Sequence, residues 1–284
     1  MLLDSVAATV PWSLGGRSDM RIYVEGIGLL GPGLNGWTNS IPLLRKSGGW
    51  KMTPLCVPDP VSLPAVERRR AGQAVRLALA VGFEAHSNAQ RDPSRTETVF
   101  TSSGGDSPSL HTNCEALAGA TPEVSPTRFH NSVHNAPAGY WGIASQSREP
   151  STSLCAFDAS FAVGLLLSAI HVLIDHRLVA LIAYDVPYLE PINHVRPIIS
   201  AFATSLLLVH EKTDHAIACL DIMRMDGEKC SSLPVMDPDM TTLSLGTPAG
   251  RSLPLLVAIA SGVPMTVEIE ELPEHYLEIQ VSAC

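Results

Sequence analysis

Aromatic side chains make up only 5% of this 284-residue chain and charged ones only 17%. So few aromatics leave no stacking platform for nucleobases. A formal charge of −9 argues against nucleic acid or an anionic membrane as the main partner. The six cysteines, at positions 56, 114, 155, 219, 230 and 284, include no Cys-x-x-Cys pair and no dense framework. Free thiols in a reducing cytoplasm are therefore expected. Residues 1–20 contain Asp4, Arg17 and Asp19 and lack a continuous apolar core, so no secretory leader is expected. The longest apolar run, Phe161 to Ile174, is interrupted by Ser168 and His171. It is too short to span a bilayer and suits a buried core helix. Apolar residues, by contrast, are plentiful at 45%, enough for a substantial core. With charge so scarce, part of the surface is expected to be covered by another chain.

Read for pattern, the chain alternates strands and helices, which predicts an α/β class with a mixed sheet covered on both faces. Residues 1–20 form an N-terminal extension, and one domain spans 21–284. A strand over 21–25 runs into a glycine-rich turn at 26–33, followed by a helix over 36–46 and a proline-rich loop over 50–64. A single helix is expected over 65–85, a strand over 96–102, a helix over 111–117 and a segment over 129–145 that ends as a helix. A strand over 152–156, a helix over 159–176 and a buried strand over 178–185 come next. Strands over 201–210 and 216–225, a loop over 227–248, a helix over 252–261 and strands over 265–269 and 276–281 complete the chain.

The most informative stretch is Ser153 to Ala169. It reads as an apolar strand, a tight turn and a buried helix, the layout that holds a nucleophile at a helix N-terminus. The tip of that turn carries Asp158, a poor nucleophile whose charge the helix dipole would stabilise. Ser160 is the best-placed hydroxyl, but its context is not Gly-x-Ser-x-Gly and a hydroxyl in a first helical turn is usually a cap. Cys155 falls inside the strand and is expected to be buried and inert. Gly26, Gly28 and Gly31 have dinucleotide-binding spacing, but Pro32 and Gly33 spoil the helix start and no acidic strand end follows. His130 and His134, four apart, lack a third ligand, so no metal is expected. Arg68, Arg69 and Arg70, with Arg76 nearby, form the one basic cluster, either a solvated helix face or a docking spot for an acidic partner.

Taken together, these segments resemble ketosynthase-like proteins of the thiolase superfamily, in the branch of β-ketoacyl synthase-like N-terminal domains. Arg21 to Pro32 looks like the first ketosynthase strand and its glycine turn. Thr101 to Asp106 is similar to a glycine-rich strand end of the same family. Ser132 to Gly139 is similar to the segment leading into the helix near the dimer interface. Ser160 to Leu166 and Ala183 to Pro187 complete the pattern. The resemblance implies a thiolase-like layered α/β/α fold with a C-terminal half shortened from about residue 200. The departures are that the cysteine slot falls on Asp158 and that His194, His210, His215 and His275 lack the glycine-rich contexts of the catalytic pair. It therefore implies a non-catalytic, chain-length-factor-like partner of an active ketosynthase, in a type II polyketide or fatty-acid-like system of the aryl polyene or xanthomonadin kind. No cofactor is implied. The residues expected at the elbow and its interface are Cys155, Phe157, Asp158, Ser160 and Phe161, with Phe157 and Phe161 closing the pocket. His134, Asn135, Gly139 and Tyr140 are expected to flank it. Arg68, Arg69 and Arg70 would assist docking of an acyl carrier protein, which meets mainly the partner. Two other readings stand beside this one: a thioester hydrolase or acyltransferase using Ser160 with His134, and a homodimeric scaffold.

Overall fold

The computed structural model describes residues 20–46, 48–227 and 234–284. The expected extension over residues 1–19 and Cys230 lie outside these. Strand β1 (Met20–Gly31) runs straight through Gly26 and Gly28, where a turn was expected. The cause is the helix laid across it, α3 (Gln73–Ala89). A Cβ at Gly26 would stand 2.1 Å from the Ala85 carbonyl oxygen, and one at Gly28 1.9 Å from that of Val81. These glycines let helix and strand backbones touch. The chain then reverses at Gly33, whose φ is +68°, into β2 (Leu34–Asn35), antiparallel to β1. The Gly-x-Gly-x-x-Gly spacing thus opens no helix and offers no pyrophosphate site.

Helix α1 (Trp37–Leu44) follows, and the proline-rich loop leads to α2 (Ala65–Arg70). The one helix expected over 65–85 is therefore two, α2 and α3, with Ala71 extended between them. The break lets Gly72 pack on Asp106, whose Oδ2 would stand 2.0 Å from a Cβ there. Next come β3 (Glu97–Thr101), α4 (Ser107–Ala118), α5 (Pro126–Ser132) and α6 (Ala136–Ser145). Then β4 (Ser151–Leu154), α7 (Ser160–Asp175), β5 (Val179–Asp185), the short α8 (Ile192–Val195) and β6 (Phe202–Val209) complete the first half. Among the described residues, the second half holds β7 (Ala218–Asp226), α9 (Pro238–Gly246), α10 (Leu253–Ser261), β8 (Met265–Leu272) and β9 (His275–Ala283). Helix α9 lies in the expected 227–248 loop. Its start has a clear signal, since Asp237 accepts from the Asp239 amide at 3.0 Å and Pro238 takes the first position.

The strands form one sheet in the order β4-β3-β5-β6-β1-β7-β9-β8. Strands β3, β4 and β5 are parallel, and β6 is antiparallel to both β5 and β1. Helices α3 and α6 cover one face, where Trp141 lies 4.7 Å from the Phe83 ring and 6.4 Å from that of Phe100. The opposite face carries α7, which packs on β3, β5 and β1. Gly164 permits that approach, because a Cβ there would meet the Thr101 side chain at 2.9 Å. Helix α10 is buried from Leu253 to Ala260 and packs on α1, β8 and β9. The expected α/β/α layering is therefore present. By length and composition the segment Phe157–Asp175 would cross a membrane, yet half of it is buried within the domain.

The contact between α3 and β1 makes a direct prediction. Gly28→Ala should cost about 1–3 kcal/mol through overpacking, read as a lower urea midpoint at unchanged slope. Gly48→Ala, with nothing within 4 Å of its added carbon, should stay within about 0.5 kcal/mol. Equal effects would mean that the close approach does not matter.

Candidate functional site

The strand-turn-helix element is present, with β4 leading through a 3-10 turn at Phe157–Ala159 into α7. Its left-handed residue is Phe157, at φ +54°, one position before the Asp158 expected at the tip. A non-glycine residue held there costs of order 1–3 kcal/mol, so the surroundings must enforce it. Part of the enforcement comes from Ser160, which is 1% exposed. Its hydroxyl donates to the Phe157 carbonyl at 2.7 Å and accepts from the Ala156 amide at 3.0 Å. The Thr101 hydroxyl donates to the Ser160 carbonyl at 2.6 Å. Ser160 is thus a buried brace of the elbow, not a hydroxyl open to substrate.

Asp158 is one-third exposed and fully engaged. One carboxylate oxygen accepts from the Arg196 guanidinium, and the other lies 3.2 Å from Arg251 Nη2. Arg196 also donates to Ser103 Oγ at 3.2 Å and lies over Phe157, its Cζ 3.7 Å from the ring centroid. Arg251 reaches on toward Glu270 at 3.8 Å. The Phe157 ring remains 61% exposed. Arg196 and Arg251 were not anticipated: they come from α8's C-cap and from the turn before α10, and no local spacing ties them to Asp158.

Other expected site residues fare differently. Cys155 is exposed, not buried, because β4 ends at Leu154; its thiol donates to the Ser103 carbonyl at 3.3 Å. Phe161 is fully buried between α7 and the sheet, so it closes no interface pocket. Tyr140 is also buried, its hydroxyl donating to Asn131 Oδ1 at 3.1 Å, which makes it a core tie. Asn135 and Gly139 are exposed, and His134 is half-buried. The His134 Nε2–H donates to the Ser102 carbonyl at 3.0 Å, with no hydrogen bond to Ser160. His130 instead packs edge-on to Tyr140 at 5.9 Å, so the two histidines point to different partners. Among the described residues no group of three metal-ligating side chains converges. In the basic cluster, Arg68 donates to the Val61 and Leu63 carbonyls at 3.0 Å and so braces its own loop. Arg70 lies 3.5 Å from Glu67, while Arg69 is exposed.

Behind the elbow lies Asp185, wholly buried at the end of β5. Oδ1 accepts from the Ser103 amide at 2.8 Å and the Ser102 hydroxyl at 3.1 Å, while Oδ2 accepts from the Ala249 amide at 2.7 Å. Burial pushes its pKa up to about 7, against the pull of these donors. A surface cleft of about 330 Å³ is lined by Leu30, Gly36, Cys56, Ala80 and Glu84 and shares no residue with the elbow.

The layered α/β domain thus carries its strand-to-helix elbow at the end of β4. Residues 48–237 match the β-ketoacyl synthase N-terminal domain, and the chain belongs to that family. No curated protein matches. Among solved structures, it is similar to a ketosynthase (ApeO) in complex with its chain length factor (ApeC) from Xenorhabdus doucetiae. The two share 20% identity at a TM-score of 0.70, over 93% of this chain and 100% of that one. The ishigamide ketosynthase/chain length factor matches at 11% identity and a TM-score of 0.67, over 92% of this chain and 99% of that one. The ketosynthase from module 6 of the bacillaene synthase of Bacillus subtilis 168 matches at 13% identity and a TM-score of 0.55. There the match covers 79% of this chain and 44% of that one. At these identities the likeness is one of fold.

Two predictions follow from the geometry. Asp185 is raised above its unfolded value near 3.8, so between about pH 4 and pH 7 the folded chain holds the extra proton. Its contribution to stability is therefore present at the acid end and is lost as pH rises through that window. The difference in urea unfolding free energy between wild type and Asp185→Asn should shrink from pH 4.5 to pH 7.5. A constant difference would contradict the raised value. Ser160→Ala should lower stability by about 1 kcal/mol and leave any acyl-thioester turnover by the purified chain unchanged; loss of turnover would restore the hydrolase reading.

Proposed function

We propose that this chain is a non-catalytic, chain-length-factor-like partner of an active ketosynthase, working in type II polyketide or fatty-acid-like biosynthesis. The observation that carries the reading is at the elbow. The left-handed residue is Phe157, Asp158 is spent on two arginines and the Ser160 hydroxyl is spent on the backbone. The element keeps the shape that presents a nucleophile but presents an aromatic ring. Support of a different kind comes from the relatives in fold, two of which are ketosynthases solved with chain length factors. The aryl polyene class of product is what the sequence resemblance implies.

The surface beside the elbow suits pairing. Strand β4 is one end of the sheet. The Pro150 and Leu154 carbonyls accept from Thr98 and Ser102 on the β3 side. By alternation, Ser151 and Ser153 turn their backbone N–H and C=O groups outward, a free template for another strand. On the neighbouring α7, Val163, Leu167, Ile170 and Ile174 recur at helical spacing, with Ile170 38% and Ile174 71% exposed. A partner that adds a strand to β4 and covers this stripe would bury both. The carrier protein would then dock chiefly on the ketosynthase, with Arg69 and Arg70 as the available basic contribution from this chain.

Co-expression with an active ketosynthase from the same organism, followed by size-exclusion chromatography with light scattering, tests the reading. A one-to-one complex is expected. Ser153→Pro removes an outward N–H without touching the bonds to β3, and should reduce complex formation at least about tenfold with the circular dichroism unchanged. A chain that ignores the ketosynthase and self-associates would instead establish a homodimeric scaffold.

A further inference from the structure

The elbow follows the C-terminal end of β4; at the opposite end of the sheet, where β5 begins and β6 ends, lies a second cleft of about 240 Å³. The antiparallel register that sets Val179 against Leu208 brings together the residues just outside both strands, Arg177 on one side and His210 on the other. His176, the left-handed residue that closes α7 at φ +52°, holds its ring 4.4 Å from that of His210. Arg91 arrives from just past the end of α3. Two guanidinium groups and two imidazoles thus line one cleft, in a chain whose net charge is −9.

The counter-charges are set mostly behind the wall. Glu25, its side chain fully buried, accepts from Arg91 Nε at 2.7 Å and Nη2 at 2.6 Å. The Thr213 hydroxyl donates to the same carboxylate at 2.6 Å and fixes it. Arg177 lies 3.5 Å from Glu97 through Nε and 3.4 Å from Glu149 through Nη1, and Glu97 is 6% exposed at its side chain. Of the carboxylates paired with these groups, only Glu211, 3.2 Å from His210, belongs to the cleft lining. Arg91 Nη1 and Arg177 Nη2 take no part in these ion pairs. Each guanidinium is therefore gripped from the rear with donors to spare, and an arriving anion does not have to order it.

We propose that this cleft binds a phosphate-type oxyanion, either the free ion or the terminal phosphate of a small molecule. A planar carboxylate is satisfied by one guanidinium fork. Two separate guanidinium groups and two rings around one space suit a tetrahedral anion, which accepts from several directions at once. Even a neutral imidazole contributes one N–H. The cleft is open, so a phosphate could enter while the rest of its molecule stays in solvent. The side chains of Arg91 and Arg177 are 37% and 45% exposed, so salt weakens the attraction. The site lies away from the elbow and from β4, and it stands whether or not the chain pairs with a ketosynthase.

Titration calorimetry on the full chain at low ionic strength, with inorganic phosphate, glycerol 3-phosphate and acetate in separate runs, tests the proposal. Saturable one-to-one binding of at least one phosphate is expected, with a dissociation constant below about 1 mM. Arg177→Gln should weaken it at least about tenfold, and Glu97 then keeps His171 at 2.5 Å as its partner. His176→Asn, which suits the left-handed backbone, should weaken it in the same direction and replaces the first variant if that one misfolds. Arg128→Gln, an exposed arginine on α5 outside the cleft, should leave it unchanged. Tighter binding of glycerol 3-phosphate than of inorganic phosphate would assign the site to a phosphomonoester, and the reverse order to the free ion. Absence of saturable binding overturns the proposal. So does acetate binding as tightly as phosphate, or an equal loss in Arg128→Gln, either of which would reduce the effect to general charge attraction.

Discussion

The carboxylate of Asp185 holds the parts of this molecule in register. It is buried without a counter-ion and is satisfied by two backbone amides and a hydroxyl drawn from both halves of the chain. The Ser102–Ser103 side comes from the end of β3, the Ala249 side from the turn that launches α10. Everything at the elbow then hangs on the loop so fixed. The Ser103 carbonyl takes the Cys155 thiol, the Ser103 hydroxyl takes Arg196, and the Ser102 carbonyl takes His134. Removing the carboxylate would orphan two buried amides at once, the costly side of hydrogen-bond energetics. A buried acid kept near its titration point is poor economy for stability alone; its use here is to lock geometry.

Around that lock, the elbow shows how neighbours hold a strained turn in place. A strand-to-helix turn with a left-handed residue is strained, and the strain persists only while neighbours enforce it. Here the enforcers are still present, in Ser160 across the turn and Thr101 beneath it. The side chain at the tip, however, is phenyl, and the adjacent carboxylate faces two guanidinium groups. A backbone of this cost, held from several sides, fixes the direction in which the Phe157 side chain leaves the turn.

Much of the fold was legible because it rests on local rules. Apolar runs gave β5 and α7, and alternation gave β7, β8 and β9. The glycine pattern was legible as a pattern but not as a cause. Gly26 and Gly28 look the same in sequence whether they serve a phosphate or a helix backbone, and only the Ala85 and Val81 carbonyls decide. Helix α9 carries a start signal in Asp237 and Pro238, inside a stretch that otherwise reads as loop. At the site, the elbow's existence could be read, but its tip fell one residue off, because a left-handed φ leaves no mark on a phenylalanine. Arg196 and Arg251 were beyond reach. Ion pairs between residues so far apart in sequence depend on how β5, α8 and α10 converge, which no periodicity encodes.

The unequal halves bear on the proposed pairing. Five main strands build the first half, whereas three, β7, β9 and β8, build the second and join the same sheet through β1. That sheet ends in β8 on one side and β4 on the other. Strand β8 carries Glu268, Glu270 and Glu271, and charge along an edge discourages pairing. Strand β4 reads Ser-Thr-Ser-Leu, short, uncharged and partly exposed. An edge left this open is an aggregation hazard unless something covers it, and the chain has spent its protective charge elsewhere. The elbow opens directly from the end of that same strand. Whatever pairs with β4 therefore brings its own surface against Phe157, so covering the edge and presenting the ring are one act.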